Sequence, residues 1–129
     1  MIQKHPICPH RIRKVPGQFS WVDHRLVRDR FIESITHPAA ALYLFLVTVA
    51  DCQGLSFYSD ASVMSRLSMD ALTLDEARRN LITSGLIAFK SPLYQVLSLD
   101  PLPDHPGRTP LDRPVAIGQL FKQMMGGTL

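Results

Sequence analysis

The sequence lacks the features that mark several common protein classes. It has only two cysteines, Cys8 and Cys52, in 129 residues, too few for a disulfide framework, so we expect a reducing, cytoplasmic setting. No signal peptide is visible, because prolines and charges occupy the N-terminus where an apolar core should lie. The longest apolar run, residues 39–50, has about half of the roughly 20 residues that a membrane span needs, so we expect no membrane partner.

Catalytic and metal-binding patterns are also missing. The seven glycines form no phosphate-cradling loop, and the adjacent Asp23 and His24 have no nucleophile tied to them in the sequence. His5, Cys8 and His10 follow a spacing that is not a standard zinc signature. We therefore predict that the protein is not an enzyme and that it holds no metal and no other cofactor.

Positive charge is concentrated near the N-terminus. The formal net charge is only +3, which by itself is a weak sign of an anionic partner. Residues 1–30 contain seven Lys and Arg against two acids, a net charge of +5. Residues 31–100 contain four against seven, a net charge of −3, and residues 101–129 carry +1. The basic surface is therefore expected outside the central part of the chain.

Residues 1–18 are interpreted as a basic, flexible arm. Three prolines and Gly17 deny this stretch a long helix. Residues 19–31 mix apolar and basic side chains and predict an extended segment followed by a helical turn with one apolar face. If the protein binds DNA, the arm is expected to supply phosphate contacts from four side chains, namely Lys4, Arg11, Arg13 and Lys14.

A buried helix followed by a short strand is predicted next. Apolar side chains surround almost the whole stretch 38–52, which is typical of a helix at the centre of a core. Thr36 or His37 is the predicted cap, because a proline follows where the first helical turn should begin, and Gly54 is expected to end the element. Residues 55–58, LSFY, predict a strand by alternation and aromatic content.

Two further helices follow in the predicted order. Ser59 or Asp60 is expected to cap the first of them. Thr73 is the predicted cap of the second, with Glu76 standing three residues later at the capping-box spacing. The predicted bounds are 61–67 for the first helix, 68–72 for the turn and 73–84 for the second helix.

A β-hairpin is predicted after the last of these helices. Leu74, Ala77 and Leu81 form an apolar stripe at helical spacing, and Gly85 is the expected stop signal. The predicted hairpin consists of a strand over residues 86–89, a turn at Lys90-Ser91-Pro92 and a strand over residues 94–99.

The motifs ALYLFLVTVAD, GLSFY, SDASVMSRLSM and TLDEARRNLITSGLIAF resemble the winged helix-turn-helix domains of bacterial replication initiators, primosomal proteins and small mobile-element proteins. The resemblance covers residues 36–99. It implies a mainly α fold with a small β-hairpin, in the α+β class, with a winged helix-turn-helix domain over residues 19–100. It also implies a double-stranded DNA partner and a role as a small transcriptional regulator or as an accessory factor of a replicon or transposable element.

In that family the third helix enters the major groove and the hairpin touches phosphate or the minor groove. The resemblance therefore makes Arg79 and Asn80 candidates for base contacts, since Arg pairs with guanine edges and Asn with adenine edges; the alternative is a solvated helix face. Arg78, at a position that is often Leu in the family, is a further candidate. Thr73 could meet a phosphate, although a capping role explains it equally, and Lys90 at the hairpin tip is either a phosphate contact or an ordinary exposed lysine.

One departure from the family supports a second interpretation. Asp75 and Glu76 stand at the start of the third helix, where phosphate-facing residues usually lie. Together with the net charge of −3 over residues 31–100, they favour a protein-protein interaction adaptor that uses the fold without binding DNA.

The C-terminal part divides into a linker and a tail. Residues 101–114 contain five prolines, which predicts a stiff linker. Residues 115–129 are interpreted as an amphipathic helix and tail, with an apolar face made of Ile117, Leu120, Phe121, Met124 and Met125. Such a face is expected to pack on its own domain, on a second copy of the chain or on a partner protein.

Overall fold

The computed structural model describes residues 3–100, and the statements below refer to this part of the chain. Within it the fold is mixed α+β, as the sequence predicted, with four α-helices and a three-stranded antiparallel sheet. Single 3-10 turns lie at Pro9–Arg11 and Phe31–Ser34. The predicted linker 101–114 and C-terminal helix 115–129 lie outside the described residues. The helices are α1 (Arg25–Arg28), α2 (His37–Val49), α3 (Asp60–Leu67) and α4 (Ala71–Thr83); the strands are β1 (Leu55–Phe57), β2 (Ile87–Lys90) and β3 (Leu93–Val96).

Helix α2 begins where the sequence predicted and ends earlier. Thr36 is the N-cap, and its Oγ1 accepts a hydrogen bond from the backbone N–H of Ala39 at 3.2 Å. The predicted end near Cys52 is wrong, because the backbone is already extended at Ala50. A turn follows, in which one carboxylate oxygen of Asp51 accepts backbone hydrogen bonds at 2.8 and 2.9 Å.

The caps of α3 and α4 are short polar side chains placed just before each helix. Ser59 caps α3 by accepting from the backbone N–H of Ser62 at 3.1 Å. Asp70 caps α4, and its Oδ1 accepts from the backbone N–H of Thr73 at 2.7 Å. The predicted Thr73 cap and its capping box with Glu76 are therefore wrong. Helix α4 starts two residues earlier than predicted, and the turn before it is correspondingly shorter.

The sheet has the strand order β1-β3-β2, with both pairings antiparallel. A two-residue turn, Ser91-Pro92 with a cis peptide bond, joins β2 to β3. The hairpin lies close to its predicted position, with two corrections. Lys90 is the last residue of β2 rather than part of the turn, and the second strand ends at Val96 rather than at Leu99. Gly54 is required before β1, because its φ is +86° and an added Cβ would lie 2.6 Å from the carbonyl oxygen of Val96.

The core is formed where α2, α4 and the hairpin meet. The predicted inner stripe of α4 is confirmed, since Leu74, Ala77 and Leu81 are at most 1% exposed. Fully buried side chains from the other elements surround this stripe, namely Leu42, Leu46, Val63, Leu86, Ile87 and Tyr94. No helix within residues 3–100 is long and apolar enough to cross a membrane.

The segment before α2 contributes less to the core than its sequence pattern suggests. Leu26 is buried, but Val22 and Val27 are 46% and 64% exposed. The predicted apolar face of residues 19–31 is therefore wrong, since Leu26 alone of these three side chains is buried. All described residues of the arm, 3–18, are exposed.

Candidate nucleic-acid interface

Arg78 points into the protein and not toward solvent. Its side chain is 12% exposed, and its Nη1 donates to Asp60 Oδ1 at 2.9 Å and to the hydroxyl of Tyr94 at 2.8 Å. Its guanidinium also lies over the ring of Phe89, 4.3 Å from the centroid. These contacts join α3, α4, β2 and β3 through one side chain.

The electrostatics of Arg78 match this internal role. Burial lowers the pKa of its guanidinium, but the hydrogen bonds to Asp60 and Tyr94 raise it, and the net shift is upward. The pKa of Tyr94 is raised, mainly because burial disfavours the phenolate. Arg78 therefore remains charged and occupied inside the fold, where it cannot also reach a base.

Asn80 is also occupied by contacts within the chain. Its Oδ1 accepts from the backbone N–H of Thr36 at 2.7 Å, and its Nδ2 donates to the carbonyl of Ser34 at 3.3 Å. The amide thus holds the start of α2 against the end of α4. Reading an adenine edge would require it to give up both hydrogen bonds.

The outer face of α4 carries Arg79, which is 77% exposed. Its Nε lies 3.0 Å from Oδ2 of Asp75, an i,i+4 ion pair on the helix surface. Glu76 is exposed beside them, and Leu72 is 66% exposed. This face therefore has two acids, one cation and an apolar side chain in reach of a partner.

The two other candidates on this domain differ in accessibility. Thr73 is partly buried in the first turn of α4, where its backbone N–H is held by Asp70. Lys90 is exposed at the end of β2. Only Lys90 and Arg79 thus present a cationic group to solvent among the candidates of the helix and hairpin.

The four cations predicted for the arm are all exposed, namely Lys4, Arg11, Arg13 and Lys14. None of the four makes an ion pair within the part of the chain that the structure describes. Their charge is therefore available to an anionic partner, unlike that of Arg78.

An open groove of about 670 Å³ lies beside α1. Its lining includes Arg13, Asp23, His24 and Arg28 next to the apolar side chains of Val22, Leu26 and Val27. Arg25 binds Asp23 through its Nη2 at 2.6 Å and its Nε at 3.1 Å. This side-chain pairing, with the backbone N–H of Arg25, lowers the pKa of Asp23 to about 2, so its negative charge is already compensated.

Three exposed side chains near this groove were not selected from the sequence, namely Phe19, Trp21 and Arg28. The sequence pattern that could have identified them is the alternation Phe19-Ser20-Trp21 close to a cluster of arginines. Ser20 donates its hydroxyl proton to the carbonyl of Thr48 at 3.0 Å, a contact with α2 that no local sequence pattern specifies.

Comparison with protein-family models, with curated proteins and with solved structures finds no match to this chain. The function is therefore inferred from the accessible charges and contacts of residues 3–100, together with the sequence motifs.

Proposed function

We propose that this protein binds double-stranded DNA through a winged helix-turn-helix domain preceded by a basic arm. It would act as a small transcriptional regulator or as an accessory factor of a replicon or transposable element. The observation that carries the proposal is the placement of accessible positive charge. The arm presents four exposed cations, whereas two of the three polar candidates at positions 78–80 are held inside the fold.

The order of elements supports the winged helix-turn-helix assignment. An apolar helix, a short strand, two helices and a hairpin follow one another as α2-β1-α3-α4-β2-β3, which is the order carried by the motifs described above. The first strand pairs with the last, so the hairpin is anchored beside the helices. Such an arrangement allows α4 and the hairpin turn to approach one ligand together.

We propose different roles for the arm and for α4. Phosphate contacts supply affinity without sequence information, and base contacts supply specificity. Arg79 is the most accessible side chain of the predicted base-contacting set. It is 77% exposed and would give up only its surface pair with Asp75, whereas Arg78 and Asn80 are occupied within the described fold. We therefore assign most of the affinity to the arm and a narrow base preference to Arg79.

The test is the salt dependence of binding by the full chain. Each phosphate contact contributes about −0.9 to the slope of log affinity against log salt. Replacing Lys4, Arg11, Arg13 and Lys14 together by Gln should therefore flatten the slope by roughly 3 to 4. The measurement is fluorescence anisotropy of a labelled duplex, selected from a random library, at several salt concentrations.

Arg79→Ala serves as the matched variant for specificity. It should relax the preference at one or two base pairs and change the slope by no more than about 1. If the four Gln replacements leave both affinity and slope unchanged, the proposed role of the arm is wrong.

A second candidate function is a protein-protein interaction adaptor. It is favoured by the outer face of α4, where Asp75, Glu76 and the 66%-exposed Leu72 suit a protein partner better than a phosphate backbone. Glu76→Gln separates the two functions. If α4 faces DNA, removing this like charge should strengthen duplex binding severalfold at low salt. If duplex affinity stays unchanged and random-library selection recovers no motif, the adaptor is favoured.

A further inference from the structure

Phe19 and Trp21 are two exposed aromatic side chains that flank Ser20. They are 64% and 74% exposed. Between them, Ser20 donates to the carbonyl of Thr48 at 3.0 Å, which ties this stretch to α2. The stretch lies outside any helix or turn. Ser20 is directed at α2, and its two aromatic neighbours each leave most of their surface to solvent.

The surroundings of this pair are cationic. Arg13 and Arg28 line the groove to which Ser20 and Val22 also belong, and the side chain of Arg28 is 67% exposed. Asp23 in the same groove is neutralised by Arg25 at 2.6 Å. Arg28 also lies 3.5 Å from Asp29 Oδ1 in an exposed ion pair. Arg13, Arg25 and Arg28 against Asp23 and Asp29 leave one positive charge in excess next to the two aromatic side chains.

Aromatic side chains interleaved with cationic ones are typical of sites that bind single-stranded nucleic acid. Unpaired bases stack on the rings, and the backbone follows the positive groove. Duplex DNA offers no free base faces, so the rings would gain little from it. A symmetric contact with a second copy would bring the same arginines face to face, which like-charge repulsion opposes.

We propose that Phe19 and Trp21, together with Arg13 and Arg28, form a binding site for single-stranded nucleic acid. Two unpaired bases stack on the aromatic rings, and the two guanidinium groups contact the adjoining phosphates. This site goes beyond the proposed duplex binding and does not depend on α4 or the hairpin.

The chain supplies its own reporter for this site, because Trp21 is its one tryptophan. The full-length protein is titrated with dT and rU oligomers of about 12 nucleotides, within the roughly 4–16 nucleotides that comparable sites cover. Stacking should quench the fluorescence of Trp21 in a saturable way. Quenching by either oligomer supports the proposal, and the tighter of the two identifies DNA or RNA as the preferred ligand.

Two phenylalanine variants separate stacking from a general loss of apolar surface. Phe19→Ala should weaken binding about 5- to 150-fold, the range expected for losing one stacked base. Phe57 on β1 is 71% exposed, so Phe57→Ala is the matched control and should change affinity by no more than about twofold. Arg28→Gln should reduce the salt slope by about 0.7, the contribution of one phosphate on a single strand.

Several results would overturn the proposal. One is unchanged Trp21 fluorescence with both oligomers at low salt. Another is equal affinity of the Phe19→Ala and Phe57→Ala variants. A third is a Trp21 emission shift caused by anionic phospholipid vesicles, or by raising the protein concentration, without any response to oligonucleotide. Because these titrations contain no duplex, their failure is distinguishable from failure of the duplex-binding proposal.

Discussion

Replacing Arg78 by alanine tests whether this arginine is a structural residue. The adjacent Arg79 provides a control of the same chemistry on the same helix, since it is 77% exposed against 12% for Arg78. If both arginines served a surface function, the two alanine variants would have similar stabilities. The contacts of Arg78 instead predict a large difference.

The expected loss follows from the contacts that Arg78 makes. The hydrogen bond to the buried Tyr94 hydroxyl involves a charged donor and contributes about 1.5–3 kcal/mol. The stacking on Phe89, 4.3 Å from the ring centroid, adds about 0.5–2 kcal/mol. The ion pair with Asp60 adds no more than about 1 kcal/mol, because Asp60 is 56% exposed and screened by solvent. Arg78→Ala should therefore cost about 2–6 kcal/mol.

Thermal unfolding followed by circular dichroism measures this difference. For a domain of this size, about 1 kcal/mol corresponds to a shift of roughly 4–8 °C in Tm. Arg78→Ala should lower the Tm by about 10 °C or more, while Arg79→Ala should stay within about 4 °C of the parent, since it loses one surface pair. Tyr94→Phe should reproduce part of the loss. Equal melting of the two arginine variants would refute the internal role of Arg78.

Three further perturbations test other parts of the structure. Leu81→Ala should leave a cavity under α4 and lower the free energy of unfolding by about 2–5 kcal/mol, measured by urea denaturation; an unchanged midpoint would contradict the burial of Leu81. Asn80→Ala should cost about 1–2 kcal/mol in the same assay, because it removes both hydrogen bonds that hold the start of α2, whereas a cost similar to that of Arg79→Ala would contradict this role. For Asp23, the folded pKa of about 2 lies below its ordinary value of 3.8, so the stability that the ionised pair contributes is present above pH 3.8 and is lost as the pH falls towards 2. Asp23→Asn should accordingly lower the Tm at neutral pH and converge with the parent near pH 2; a Tm difference that does not change with pH would exclude the ionised pair as its cause.

The elements that follow from local patterns were predictable from the sequence. The stripe of Leu74, Ala77 and Leu81 repeats at helical spacing, and the structure buries all three. The hairpin after Gly85 was recognisable from two apolar runs separated by a polar turn. Both predictions succeeded because each pattern depends on neighbours within about two helical turns.

Competing local signals explain the errors at the helix ends. Asp70 and Thr73 are both suitable N-caps and stand three residues apart. Asp70 is the N-cap because it directly precedes the first residue with helical backbone geometry. The sequence also could not show that Asn80 reaches the start of α2, 44 residues away along the chain. Such contacts depend on how the helices pack, and no pattern within one helix contains that information.

The net charge of this chain has to be interpreted according to whether each arginine is paired within the fold or exposed to solvent. A count of residues treats Arg25, Arg78 and Arg13 alike, yet Arg25 neutralises Asp23 and Arg78 is enclosed by α3, α4 and the hairpin. An anionic ligand responds only to cations that it can reach without breaking contacts of the fold. Because Arg78 is paired with Asp60, the two charges cancel and the net charge of −3 over residues 31–100 is unchanged, but this part of the chain has one cation fewer that a ligand can reach. If the protein binds nucleic acid as proposed, we therefore expect the exposed cations before α2 to make the first phosphate contacts, ahead of α4.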